Sequence, residues 1–276
     1  MKNLIIRALS GFVFVSITIG AIYIDFLGLL FLFLFFAGLA LFEYYHLCNN
    51  LKDVKIDKYG GLTVGVLSLL IYGLVLAGYL ESTYFIFPLI LIPIVLLKEL
   101  FHQSKQPIIN TSLLVFGWVY IIVPFIIMFE IREINSFEIT LINQPGKYLL
   151  ALFLLTWTND TFAYLTGRFL GRNKLFERIS PKKTWEGTVG GLLFSILVGV
   201  LISFYLNETN LFWIISAVLI SISATLGDLF QSLLKRNVGV KDSGNIMPGH
   251  GGMLDRFDAV LFAAPIFYLW IHYFTK

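Results

Sequence analysis

Apolar residues run along this chain in long unbroken stretches, and short polar segments part them at fairly even intervals. A helix that crosses a bilayer needs roughly 20 consecutive apolar residues, and the pattern yields nine such stretches, at about 8–24, 26–42, 60–80, 84–97, 109–128, 148–166, 188–206, 211–230 and 259–274. The fourth is the shortest and contains Pro88 and Pro93, which predicts a kinked or partly inserted helix, because proline removes a backbone donor and crowds the preceding turn. The sixth and eighth carry Asp160 and Asp228 inside otherwise apolar runs. Lys2 and Arg7 ahead of the first stretch resemble a signal peptide in charge, but no small-residue cleavage site follows, so the segment is read as a retained first helix.

Composition supports the same reading. Hydrophobic residues make up 58% of the 276 positions and charged residues 13%, about half the charged share of a soluble domain. The expected fold is therefore an all-α, polytopic transmembrane helix bundle of about nine spans. Lys and Arg mark the cytoplasmic side of such a bundle. With the N-terminus inside, seventeen of the twenty basic residues fall on one side, and only Arg132, Lys147 and Lys276 fall on the other. That separation predicts an N-in, C-out topology and a basic inner face suited to anionic headgroups and nucleotides. Cys48 is the single cysteine, so no disulfide framework or multi-cysteine metal site can form within the chain, and it reads as a small apolar filler near a helix end.

The chain divides by character near residue 147. Residues 1–147 read as an N-terminal membrane scaffold of about five spans, with Asp25, Glu43 and Glu81 at span ends where water can solvate them. Residues 148–276 read as a catalytic membrane domain of about four spans with its loops, because every concentrated polar motif lies there. The segment 129–147 is the one sizeable outside loop, with a turn at Asn143-Gln144-Pro145-Gly146.

Four constellations stand out. Asn159-Asp160-Thr161 places an ionisable group in an apolar run, with Tyr164 one turn on; such a group marks a functional site by default, and a polar clamp between helices is the bland alternative. Ser180-Pro181-Lys182-Lys183-Thr184-Trp185-Glu186-Gly187 reads as a helix start with Ser180 as N-cap, where two lysines, a threonine and exposed N–H groups could bind phosphate; an ordinary positive flank anchored by Trp185 would explain it equally. Asp228, Gln231 or Ser232, and Lys235 fall along one helical face, and Asp228 has no evident local partner, since Lys235 is seven positions away. Finally, 232–258 holds seven charged side chains and five glycines, ending in Pro248-Gly249-His250-Gly251-Gly252-Met253-Leu254-Asp255-Arg256-Phe257-Asp258. The paired glycines suit close approach of a ligand. Asp228 and Asp255 are candidates to meet across a helix interface and share Mg²⁺, which takes few carboxylates and keeps positions for water and phosphate. Asp258 is as well explained as a helix-start charge.

Across 157–258 these residues resemble the phosphatidate cytidylyltransferases, the CDP-diacylglycerol synthases. Ser232, Lys235, Arg236, Lys241, Asp242, Pro248, His250, Gly251, Gly252, Asp255, Arg256 and Asp258 stand in the register of that family's signature, with Met247 where a Leu, Ile or Phe is expected. The NDTFAYLTGR and SPKKTWEG segments are similar to family stretches too, whereas 1–147 is similar only in being hydrophobic. The resemblance implies transfer of a cytidylyl group from CTP to phosphatidate, a Mg²⁺ requirement that admits a second cation, and a site facing the cytoplasm from a bacterial inner membrane. Asp228 and Asp255 are the expected metal ligands, and Lys235, Arg256, Lys183 and Asp258 the expected catalytic groups. Asp160, Ser180, Lys182, Thr184, Ser232, Arg236, Lys241, His250, Gly251 and Gly252 are the expected substrate contacts. Membrane lipids and a second copy of the chain are the expected partners, and no nucleic acid is.

Three rivals remain at this stage. A CTP-dependent lipid kinase would use the same ions but release CDP rather than pyrophosphate. An ion-coupled transporter would use the intramembrane acids, yet the two halves show no paired or inverted segments. A catalytically dead, lipid-binding relative would show losses in the motif, which is intact.

Overall fold

The structure, a computed structural model, describes residues 2–101, 104–134, 145–244 and 251–274, without the side chains of 2–8. Ten α-helices account for most of it: α1 Lys2–Ile24, α2 Phe26–Cys48, α3 Lys58–Leu76, α4 Ile86–Phe101, α5 Pro107–Gly117, α6 Val123–Glu133, α7 Lys147–Leu170, α8 Trp185–Leu206, α9 Asn210–Asn237 and α10 Leu254–Phe274. A π-helical turn, Trp118–Ile122, joins α5 to α6 into one helix of 27 residues. Among the described residues seven helices are long and apolar enough to cross a membrane. The protein is thus an all-α polytopic membrane protein, and the nine expected stretches coincide with helices except at 77–80, beyond the end of α3.

Two expectations change here. The fourth span is longer than expected: a 3₁₀ turn, Ser82–Phe85, leads into α4 and brings the segment to 20 residues, with Pro93 inside the helix. The other change lies between α7 and α8. Ser180 does not cap a helix there; Ser180–Thr184 is a strand, β2, paired antiparallel with β1, Lys174–Phe176. Pro181 has no N–H to donate, which a two-stranded ribbon tolerates because one edge of each strand faces outward. The helix start falls to Thr184, whose extended backbone (φ −129°, ψ 155°) lets its hydroxyl oxygen accept from the Gly187 N–H at 3.1 Å.

The described residues fall into two compact units, residues 1–129 with 237–256, and residues 130–236 with 257–276. In the first, α2 is the central element. Phe33 packs edge-on against Phe125 at 5.2 Å, and Tyr45 donates to the Leu114 carbonyl at 2.9 Å. The Trp118 indole N–H reaches the Gly61 carbonyl at 2.8 Å, so α2, α3 and the π-turn close on one another through buried aromatic side chains with satisfied polar tips. Cys48 is buried as a filler, as expected. Asp25 and Glu81 are exposed, but Glu43 is not, as set out below.

In the second unit α7 and α8 pack most intimately. A Cβ at Gly191 would meet the Asn159 carbonyl, which is why small residues line that seam. Ser195 donates across it to the Leu155 carbonyl at 3.2 Å. α9 and α10 also approach closely at particular points: a Cβ at Gly227 would run into the Asp258 carbonyl oxygen, and Trp270 donates to the Ser216 hydroxyl at 3.0 Å. Lys147, at the start of α7, and Glu208, in the turn between α8 and α9, form an ion pair at 2.5 Å with side chains 3% and 0% exposed. Tyr148 and Trp213 donate to the same carboxylate, at 2.9 and 3.1 Å. Lys147, expected as an outward-facing charge, is therefore an internal strut.

Candidate active site

Asp228 has the partner that local spacing could not supply. The β1–β2 ribbon carries Lys183 to α9, where its ammonium meets Asp228 Oδ2 at 2.5 Å, with the two side chains 24% and 34% exposed. Ser232, one turn on, lies 3.4 Å from Asp228 Oδ1. The ribbon is itself pinned, because Glu186 accepts from the Arg172 and Asn173 backbone N–H groups at 3.1 Å and from the Asn173 amide at 2.7 Å. Lys183 is thus held at a fixed place by a clamped ribbon rather than waving from a loop. Gly227 presses on Asp258, so Asp228 and Asp258 stand at one level of the α9–α10 pair, and Asp258 Oδ1 accepts from the Ala259 N–H at 2.8 Å.

The other expected residues of this unit divide by burial. Lys235 and Ser232 are 8% exposed, and Arg236 is exposed. Lys182 and Pro181 are exposed on the ribbon and Ser180 is half-buried. Thr184 is 5% exposed, with its hydroxyl on the helix cap and against Gly167 and Gly171, so its visible task is structural. Asp160 is exposed on α7, as is Tyr164, whose hydroxyl lies 3.3 Å from Arg168.

In the first unit Ser243, Gly244 and residues 251–254 gather around two carboxylates. Asp255 Oδ2 accepts from the Ser243 N–H at 2.9 Å and the Gly252 N–H at 3.1 Å. Gly251 has φ +86°, a left-handed conformation open to glycine, and a Cβ there would lie 2.9 Å from Asp255 Oδ2. The second carboxylate was missed by the sequence reading. Glu43, on α2, is 3% exposed and accepts from the Ser243 hydroxyl at 3.0 Å, the Met253 N–H at 3.0 Å and the Leu254 N–H at 2.9 Å. It therefore caps α10 from 211 residues away, an arrangement that favours an anion at a helix start. The expectation of a solvated charge fails because three donors replace water. Gly252 lies against Glu43 and Ser243, so the close approach it permits here is by its own chain. Lys241 and Asp242 are exposed, Arg256 is half-buried, and His250, with Met247, Pro248 and Gly249, lies outside the described residues.

Among the described residues no three His, Cys, Asp or Glu side chains gather as a ready-made metal cage. The chemistry at hand is that of paired cations and oriented carboxylates, suited to a charged, oxygen-rich ligand.

The sequence profile of the cytidylyltransferase family matches residues 5–274. A phosphatidate cytidylyltransferase of Staphylococcus haemolyticus is 47% identical over 121 residues, which cover 43% of this chain and 46% of that protein. One from Staphylococcus saprophyticus is 35% identical over 175 residues, 63% of this chain and 64% of its own, and one from Staphylococcus aureus is 36% identical over the same length. The matched stretches thus span between about half and just under two thirds of these relatives.

Proposed function

The chain belongs to the cytidylyltransferase family, and from that membership we propose that it transfers a cytidylyl group from CTP to phosphatidate, releasing CDP-diacylglycerol and pyrophosphate. The observation that carries this reading is the run of signature residues from Ser232 to Asp258, on a chain whose relatives bear that name. The substrates agree with the kind of protein found. Phosphatidate stays in the bilayer and needs a polar site at headgroup depth, CTP arrives from water, and α8, α9 and α10 carry ionic groups at the end of apolar spans.

In the reaction an oxygen of the phosphatidate phosphate forms a bond to the α-phosphorus of CTP, and the bond from that phosphorus to the β-phosphate bridging oxygen breaks. The nucleophile is already an anion, so no serine or cysteine nucleophile and no strong base is required. Positioning and charge neutralisation carry the catalysis, as in other phosphoryl transfers. Lys183, Lys235 and Arg256 are assigned to neutralising phosphate charge, with Asp258 beside Asp228 as a further catalytic group. Asp160, Ser180, Lys182, Thr184, Ser232, Arg236, Lys241, His250, Gly251 and Gly252 are assigned to the nucleotide and headgroup.

Mg²⁺ is the assigned cofactor, with Asp228 and Asp255 as its ligands. The donor types suit the ion: both are hard carboxylate oxygens, and Asp255 is oriented by two N–H donors. When bound, the ion would neutralise triphosphate charge and align the α-phosphate. The site is assigned to the cytoplasmic face of a bacterial inner membrane, with surrounding lipids and a second copy of the chain as partners.

Purified protein in detergent, given phosphatidate and CTP labelled at the α- or the γ-phosphate, tests the assignment. The α-label should enter lipid and the γ-label should appear as pyrophosphate, only with Mg²⁺. Lipid carrying the γ-label, with CDP released, would overturn it in favour of a lipid kinase.

A further inference from the structure

The motif centred on Asp255 depends on a side chain outside it. We propose that Glu43 is a positioning residue for Asp255, its buried carboxylate holding Ser243, Met253 and Leu254 so that the Ser243 and Gly252 amides aim the Asp255 carboxylate at its cation. This rests on the reading of Asp255 as a Mg²⁺ ligand.

Ser243 and Gly252 each serve both carboxylates. Ser243 gives its hydroxyl to Glu43 at 3.0 Å and its backbone N–H to Asp255 at 2.9 Å. Gly252 gives its N–H to Asp255 at 3.1 Å while its α-carbon lies against Glu43 and Ser243, where a Cβ would leave no room. Gly244 is pressed onto the same Glu43 carboxylate. The remaining Glu43 contacts, the N–H groups of Met253 and Leu254, fix the two residues just before Asp255 on the first turn of α10. A carboxylate at 3% exposure is tolerated only where donors converge on it, so Ser243, Met253 and Leu254 cannot shift without leaving Glu43 unsatisfied. Loss of a group that orients a metal ligand typically costs about 10–100-fold in metal affinity or activity.

The test compares wild type with Glu43→Gln and Ser243→Ala, purified in detergent and titrated with Mn²⁺ alone by electron paramagnetic resonance, alongside melting temperature and the Mg²⁺ dependence of turnover. Gln keeps the volume but faces its N–H₂ toward donors. Glu43→Gln should weaken Mn²⁺ binding and raise the Mg²⁺ half-saturation by about 10-fold, within the range for loss of an outer-shell partner, with kcat largely restored at high Mg²⁺. Ser243→Ala should shift both in the same direction by less. A fall in melting temperature with wild-type Mn²⁺ affinity in both variants would show a merely structural clamp and overturn the proposal. If Glu43→Gln does not give folded protein, Ser243→Ala decides alone, and wild-type Mn²⁺ affinity in it overturns the proposal. Wild type that binds Mn²⁺, loses it in Asp255→Asn, and still makes no CDP-diacylglycerol would sink the assigned reaction while the Glu43 comparison stands. No Mn²⁺ binding by wild type would overturn both.

Discussion

Two ion pairs of equal length sit at opposite ends of one unit and do different work. Lys147–Glu208 and Lys183–Asp228 both close to 2.5 Å. The first is sealed: its side chains are at most 3% exposed, and Tyr148 and Trp213 complete the shell of Glu208. The second is a quarter to a third exposed, with a single distant hydroxyl, Ser232, on the other oxygen of the carboxylate. A sealed pair has already traded water for protein and cannot change partners without a large desolvation cost. A half-open pair keeps water and ligands within reach, so its members can exchange each other for a phosphate or a divalent ion. Length and charge type do not distinguish a strut from a site; the completeness of the shell does.

The largest predicted effect breaks the strut. Glu208→Ala leaves Lys147 as a buried, unpaired charge and should lower stability by about 3–5 kcal/mol, read as a fall in melting temperature or loss of monodisperse protein. Asp228→Asn should do the reverse: turnover falls more than about 100-fold, beyond the usual cost of an outer-shell change, while melting temperature stays near that of wild type. Lys183→Met sharpens the contrast, since the exposed pair contributes only up to about 1 kcal/mol to stability, so the variant should fold normally and lose kcat/KM. Chelation by EDTA should abolish turnover reversibly, with activity returning on added Mg²⁺. Smallest is Thr184→Ala, which removes the α8 cap and should cost about 1 kcal/mol of stability, measured by thermal melting.

The helices were legible because a bilayer demands long apolar runs, and each expected stretch overlaps a helix over most of its length. The span ends were less so. The Ser82–Phe85 turn lengthens the fourth span with polar and aromatic residues that hydropathy discounts, and Lys182-Lys183-Thr184 form a strand because a charged ribbon between helices carries no hydrophobic period. The site's residue types were legible in one half of the chain, but their partners were not. Lys183 is 45 positions from Asp228, and Glu43 is 200 from Ser243, so no helical spacing links them. A buried carboxylate looks like a solvated one in sequence. Its only signal was a lone acid on the otherwise apolar α2, in Phe42-Glu43-Tyr44-Tyr45.

The account stands on Asp228 and Asp255 as the carboxylates through which Mg²⁺ supports cytidylyl transfer. The direct measurement is CDP-diacylglycerol formation by an Asp228→Asn, Asp255→Asn double variant whose melting curve matches that of wild type, assayed across a Mg²⁺ titration. No product at any Mg²⁺ concentration is the predicted result; turnover near that of wild type would contradict the assignment.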